Sequence, residues 1–230
     1  MRVTLEVRGL LTQAIEDYLK AIYKLQHSDE HGGRVTTSVI ASRMEVAAAS
    51  ATNMIKKLAE MNLLMYTPYH GVELTASGEK IALETIRHHR LIELYLSQAL
   101  GYSWDQIDAE ADRLEHAISE EFEDRIDEAL GYPTVGAHGE PIPTKQGQID
   151  HPNYRRLSEL QDGQSAVIRR VSDRNPQMLR YMENLQLRLG TRVEVTAKAP
   201  FNGPLQLKID ASKEVSLGLE VAGSIFVEAD

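Results

Sequence analysis

The stretch RVTTSVIASRMEVAAASATNMIKKLAEMNLLMYTPYHGVELT, residues 34–75, decides the fold. Thr37 or Ser38 can cap a short helix that carries Val39, Ile40 and Met44, and a break follows at Val46. A second helical pattern runs from about Ala48 to Met61, with Met54, Ile55, Leu58 and Met61 on its inner face. Two short helices joined by a tight turn make a helix-turn-helix. Leu63 to Tyr66 and Gly71 to Leu74 read as strands around the turn Thr67, Pro68, Tyr69, His70, which forms a β-hairpin "wing". The expected unit is a winged helix-turn-helix.

Upstream, Ile15, Leu19, Ile22, Tyr23 and Leu25 recur at helical spacing, so residues 11–27 read as an amphipathic helix that ends in the polar run HSDEHGG. Downstream, Thr75, Ala76 and Ser77 offer a cap for a long helix through Leu100. It breaks at Gly101 and restarts near Ser103 or Trp104 as one helix to about Leu130, with a narrow apolar stripe of Ile107, Ala111, Leu114, Ile118, Phe122 and Ile126. Such a stripe suits a dimer or bundle contact. Gly131 to Pro152 is rich in Gly, Pro and His and reads as a linker or ordered loop. Beyond Tyr154, strands are expected at Ala166 to Ile168, Arg192 to Ala197, Leu205 to Ile209 and Ile225 to Glu228, with one helix near Pro176 to Asn184. A small β-barrel accommodates them. The expected class is α+β and multidomain: a winged helix over residues 1–75, a helical domain over 76–143, a linker over 144–154 and a C-terminal barrel over 155–230.

The chain has 230 residues, 42% hydrophobic and 26% charged, with no cysteine and a net charge of −9. Without cysteine there are no disulfides, thiolate metal sites or thiol nucleophiles. No secretory signal core and no apolar run of membrane-spanning length is visible, so a cytoplasmic protein without membrane association is expected. The charge is unevenly placed. Residues 1–80 hold 9 basic and 9 acidic side chains and residues 131–230 hold 12 of each, whereas residues 81–130 hold 4 basic and 13 acidic. An excess confined to one stretch suggests an acidic interaction tail, a solvated helix face or a cation site.

Two constellations carry chemistry. On the second short helix Ser50, Thr52 and Asn53 lie on the polar side with Lys56 and Lys57 a turn on, and Thr37 and Ser38 open the first helix. Hydroxyls and amines suit phosphate contacts, and Asn53 suits a base edge; the alternative is an ordinary solvated face. With few basic residues, a homodimer reading two half-sites of a palindromic double-stranded operator supplies the affinity one subunit lacks. In the acidic stretch His89 and Glu93 are i and i+4, and Asp108, Asp112, Glu115 and His116 run i, i+4, i+7, i+8 on one face. Paired across the break at Gly101, these faces converge nitrogen and oxygen donors. Clustered carboxylates repel one another unless a cation sits among them. Carboxylate and imidazole without sulfur favour manganese(II) or iron(II), with other divalent metals binding in vitro. No HExxH, ferritin-like Glu-x-x-His, GxSxG or phosphate-loop motif occurs, so an enzyme is not expected.

The ordered motifs IEDYLKAIYKL (15–25), YHGVELTASGEK (69–80), RHHRLIELYL (87–96), LGYSWDQIDAEADRLEHAIS (100–119) and HGEPIP (138–143) resemble the diphtheria toxin repressor and manganese transport regulator family of metal-dependent transcriptional repressors. The resemblance covers residues 11–143, and residues 155–230 resemble the family's SH3-like C-terminal domain. It implies a primary metal site on Asp17, Asp112, Glu115 and His116, and an ancillary site on His89 and Glu93, with Asp108 where iron-type members have histidine. Asp17 and Asp112 stand where iron-type members have methionine and cysteine, as in manganese-responsive members. Lys20 stands where binuclear manganese regulators place a glutamate. Asn175 and Gln177 align loosely with the ligands that the C-terminal domain of iron-type members lends. The implied mechanism is that metal ties the first helix to the dimerisation domain and sets the two winged helices for DNA. The expected function is manganese-responsive repression of metal-uptake genes. The alternatives are an iron-responsive repressor of the same family or a metal carrier without DNA activity.

Overall fold

The computed structural model describes residues 11–28, 33–210 and 212–229. The first ten residues of the expected winged-helix domain and most of the HSDEHGG run lie outside the described residues. The chain divides into two compact units, Met1–His88 with Pro143–Ile149, and His89–Ile142 with Asp150–Asp230.

The first unit contains α1 (Gln13–Gln26), α2 (Thr37–Arg43), α3 (Ala48–Glu60) and the antiparallel hairpin β1 (Leu64–Thr67) and β2 (Gly71–Leu74). It also holds the first half of α4 (Ala76–Leu100). One apolar core joins Ile15, Leu19 and Ile22 of α1, Ile40 of α2, Ile55 and Leu58 of α3, Val72 of the wing and Ile81 and Ile86 of α4. Burial of these side chains at 0–1% exposure for most of them is the main force holding a helix as short as α2, which has little intrinsic stability. The cap of α2 is neither Thr37 nor Ser38 but Thr36, whose Oγ1 accepts a hydrogen bond from Val39 N–H. On α3 the fully buried side chains are Ala51, Ile55 and Leu58, while Met54 and Met61 only flank the core. Thr75 Oγ1 accepts from Gly78 N–H at the start of α4.

In the second unit, the expected single helix from Ser103 to Leu130 is two, α5 (Ile107–Leu114) and α6 (Glu120–Ala129). Ser119 starts the second: in extended backbone geometry, its hydroxyl accepts from Phe122 N–H. Consequently only Ile107, Ala111 and Ile126 of the expected stripe are buried, whereas Leu114 and Phe122 are exposed. The C-terminal part is a six-stranded antiparallel sheet in the order β3-β8-β4-β5-β6-β7, made by Arg155–Arg156, Ser165–Val171, Arg192–Lys198, Leu205–Ile209, Lys213–Leu217 and Ile225–Ala229 as β3 to β8. α7 (Pro176–Leu185) and the short α8 (Leu219–Gly223) complete it. The segment between α6 and this sheet is ordered. Trp104 Nε1 donates to the carbonyl of Ala137, Val171 N–H donates to the carbonyl of His138, and Gly139 lies so close to β4 that a Cβ there would meet the Arg169 carbonyl at 2.1 Å. With φ at +92°, that position takes glycine for two independent reasons. Among the described residues, no helix is long and apolar enough to cross a membrane.

Candidate metal centre and nucleic-acid interface

The centre is built around one imidazole. His89 lies on α4 at 2% exposure, with carboxylates facing both ring nitrogens. Nε2 is 3.5 Å from Glu93 and 3.3 Å from Asp108, and Nδ1 is 3.3 Å from Asp112 and 2.6 Å from Glu115. α4 supplies His89 and Glu93 one turn apart, and α5 supplies Asp108 and Asp112 one turn apart. Glu115 caps the C-terminal end of α5 and is 2% exposed. His116 follows, with Nε2 3.4 Å from Glu115 Oε1. Within the second unit, two sets of three donors have their ligand atoms within 4.8 Å of one another: His89, Glu93 and Asp108, and His89, Asp112 and Glu115.

A buried carboxylate is costly unless a cation offsets it. His89 Nδ1 is hydrogen-bonded to Glu115, whereas Nε2 is only within ion-pair distance of Glu93 and Asp108. With one proton removed, it offers a lone pair to a metal while the other N–H stays held by a carboxylate. The donor set is oxygen and imidazole throughout, which fits a hard or borderline divalent cation.

The sequence reading missed His138. It is completely buried, and its Nδ1 is 3.4 Å from Glu93 Oε1; neither atom has a hydrogen-bond partner. Its Nε2 lies 3.2 Å from the carbonyl oxygen of Trp104. Burial disfavours the charged form of both groups. For Glu93 the charge of His89 and the contacts with His138 and His89 outweigh burial, and the carboxyl is held below its usual range. For His138 the contact with Glu93 and the charges of Glu93, Glu140 and Asp173 outweigh it, and the imidazole is pushed up to about 9. The HGEPIP motif was the available signal, but sequence spacing alone did not bring residue 138 to residue 93. Asn175, aligned as a ligand, is occupied otherwise: its Oδ1 accepts from Gln177 N–H and Met178 N–H as the cap of α7. Lys20 is buried on α1, and Asp17 is half-buried on the same helix in the first unit.

On α3 the residues Ser50, Asn53, Lys56 and Lys57 are exposed and Thr52 is half-buried, with its hydroxyl donating to the Ala48 carbonyl at 2.8 Å. Asn53 lies i+3 from Ser50 and i−4 from Lys57, so the three share one solvent face opposite Ala51, Ile55 and Leu58. Of the two expected phosphate contacts on α2, Ser38 is exposed and Thr37 half-buried.

Residues 10–72 match the family profile "Iron dependent repressor, N-terminal DNA binding domain". Residues 75–144 match "Iron dependent repressor, metal binding and dimerisation domain", and residues 155–229 match "FeoA domain". A solved structure described as a manganese-dependent transcriptional repressor in complex with manganese superposes with a TM-score of 0.87 at 39% identity, covering 94% of this chain and 100% of that one. The chain belongs to the diphtheria toxin repressor and manganese transport regulator family. The iron-dependent repressor IdeR of Mycobacterium tuberculosis is 28% identical over 95% of this chain and 98% of its own length. The transcriptional regulator MntR of Shouchella clausii is 36% identical over 53% of this chain and 82% of its own length. Members of this family are metal-dependent transcriptional repressors, which places the acidic stretch and the winged helix in one regulatory protein.

Proposed function

We propose that this chain is a manganese-responsive repressor that acts in the cytoplasm as a homodimer on a palindromic operator, controlling metal uptake. The observation that carries the reading is the sulfur-free, partly buried donor set around His89 and Glu115. Hard oxygen donors with imidazole suit manganese(II), and iron(II) is the next metal the same donors take.

Asp112, Glu115 and His116 hold one cation together with Asp17, and this last ligand rests on the family resemblance. Glu93, His89 and Asp108 hold a second, with His138 completing them. When bound, the metal supplies positive charge to carboxylates that otherwise repel one another and links α1 to the helical domain. Asp17 is then the residue through which metal binding and operator binding are coupled, and the coupling is reciprocal. Ser50, Thr52, Lys56 and Lys57 contact the operator backbone together with Thr37 and Ser38, while Asn53 reads a base edge.

A gel-shift titration on duplexes selected from a random pool with manganese present tests this. Retention of the duplex should require metal and fail on adding chelator. Binding that ignores metal, or no binding to any duplex, overturns the reading.

A further inference from the structure

The two donors that α5 contributes are the least anchored of the cluster. The side chains of Asp108 and Asp112 are 39% and 56% exposed, whereas His89, Glu93 and Glu115 are buried. α5 has only eight residues, too few to be stable by itself, and Gln106 at its N-cap makes no side-chain hydrogen bond to the helix. Where its carboxylates stand relative to His89 therefore depends on what holds the turn that precedes it.

That turn is held by the C-terminal part of the same unit. Asp105 Oδ2 accepts from Nε and Nη2 of Arg180 on α7, at 3.0 and 2.6 Å, while its Oδ1 accepts from the Ser103 hydroxyl at 2.8 Å. The Asp105 side chain is 11% exposed and that of Arg180 62%, so water screens the pair from the arginine side only. Trp104, between Ser103 and Asp105, packs against the core of the helices and the core of the sheet at once. Its indole N–H donates to the Ala137 carbonyl at 3.1 Å, and its ring centroid lies 5.7 Å from that of His138. Asp105 and Arg180 are not among the metal donors, yet Asp105 stands three residues before Asp108 on the same short run of chain.

We propose that the Asp105–Arg180 pair is a positioning latch: it seats the turn before α5, and with it Asp108 and Asp112, so that α7 tunes manganese affinity by holding a helix rather than by lending a ligand. The inference rests on the metal-responsive reading above. Its coupling is reciprocal: closing the latch tightens metal binding, and metal binding favours the closed latch.

The test uses the full-length protein with manganese chloride alone, without DNA. Arg180→Gln removes a charge at an exposed position and should weaken manganese binding about twofold to tenfold at about 0.05 M salt, the range for one partly screened charged contact. Arg180→Lys should recover most of that loss. Asp105→Ala should weaken binding at least as much, and adding Arg180→Gln to it should cost nothing further. The advantage of the wild type over Arg180→Gln should shrink towards nothing at about 1 M salt. Trp104 is the only tryptophan in the chain, so its emission reports the turn. In metal-free Arg180→Gln the emission should shift to the red of the wild type, and saturating manganese should return it. A shift that manganese leaves untouched makes the pair a mere brace for the C-terminal part and overturns the latch. Additive losses in the double variant, or wild-type affinity in Arg180→Gln, overturn it as well and leave the proposed function standing. Failure of the wild type itself to bind manganese overturns both.

Discussion

The winged helix and the His89 cluster put polar residues to opposite use. In the first unit the apolar side chains of α3 are inside and Ser50, Asn53, Lys56 and Lys57 are outside, as hydrophobic periodicity requires. In the second unit His89, Glu93, Glu115 and His138 are themselves buried, at 0–2% exposure. A surface that binds an external polyanion keeps its donors in water. A centre that binds a small cation removes its donors from water and leaves imidazole and carboxylate to pair with one another until the cation arrives. The difference teaches that burial, rather than residue type, separates the two kinds of polar cluster.

Core truncation shows the contrast at its largest. Ile55→Ala should cost about 2–5 kcal/mol of stability, visible as a lower denaturant midpoint with or without metal. Glu115→Ala should keep the fold but lower the metal-free midpoint, because it leaves the buried His89 Nδ1 without the carboxylate 2.6 Å away. It should lower manganese affinity by roughly 100-fold or more and abolish metal-dependent DNA retention. A Glu115→Ala protein with normal metal dependence would break the comparison at its centre.

Asn53→Ala should cost roughly 1–3 kcal/mol on the preferred duplex if its amide makes a bidentate base contact, with discrimination lost at one position per half-site. Equal loss on every sequence would reassign Asn53 to the backbone.

Protons compete with metal at the buried cluster. His138 is raised from its ordinary value of 6.5 to about 9 in the metal-free protein. A raised value means that the charged imidazole stabilises the fold fully below about pH 6.5, and that this contribution is lost as pH rises through about 9. Manganese affinity should move the other way and strengthen over the same window, since a ligating imidazole must shed its proton. Denaturant midpoints and metal titrations across that window check both signs, and His138→Gln should flatten the two profiles. Parallel profiles in the variant and the wild type would exclude His138 from the cluster.

The smallest effect is local. Ser119→Ala should cost about 1 kcal/mol through loss of the α6 cap, measured by thermal unfolding. If the protein is unaffected, packing rather than the cap sets the break between α5 and α6.

Much of this was legible in the residues. The spacing of Val39, Ile40, Ile55 and Leu58 and the turn at Pro68 to Gly71 led to the helix-turn-helix and its wing with boundaries near those observed. The barrel strands were legible from their β-branched runs, apart from Lys213–Leu217 and the two-residue Arg155–Arg156, which are too polar or too short to signal themselves. The acidic excess of residues 81–130 pointed to the helices that carry the His89 cluster. The readings that failed were local competitions. The reading offers Thr37 or Ser38 as the cap and the backbone selects Thr36 instead, and Ser119 opens a new helix where one continuous helix was expected.

Sequence by itself determined which residues are apolar at what period, and therefore the elements, their inner faces and the donor types available to a metal. It also determined that thiolate has no part in the centre. Only the tertiary structure decided that His138 meets Glu93, that His89 faces four carboxylates, and that Asn175 is committed to a helix cap. The reason is physical: periodicity is a property of neighbours along the chain, whereas these contacts join residues far apart in sequence. Packing alone fixes their separation to the few tenths of an ångström on which coordination and hydrogen bonding depend.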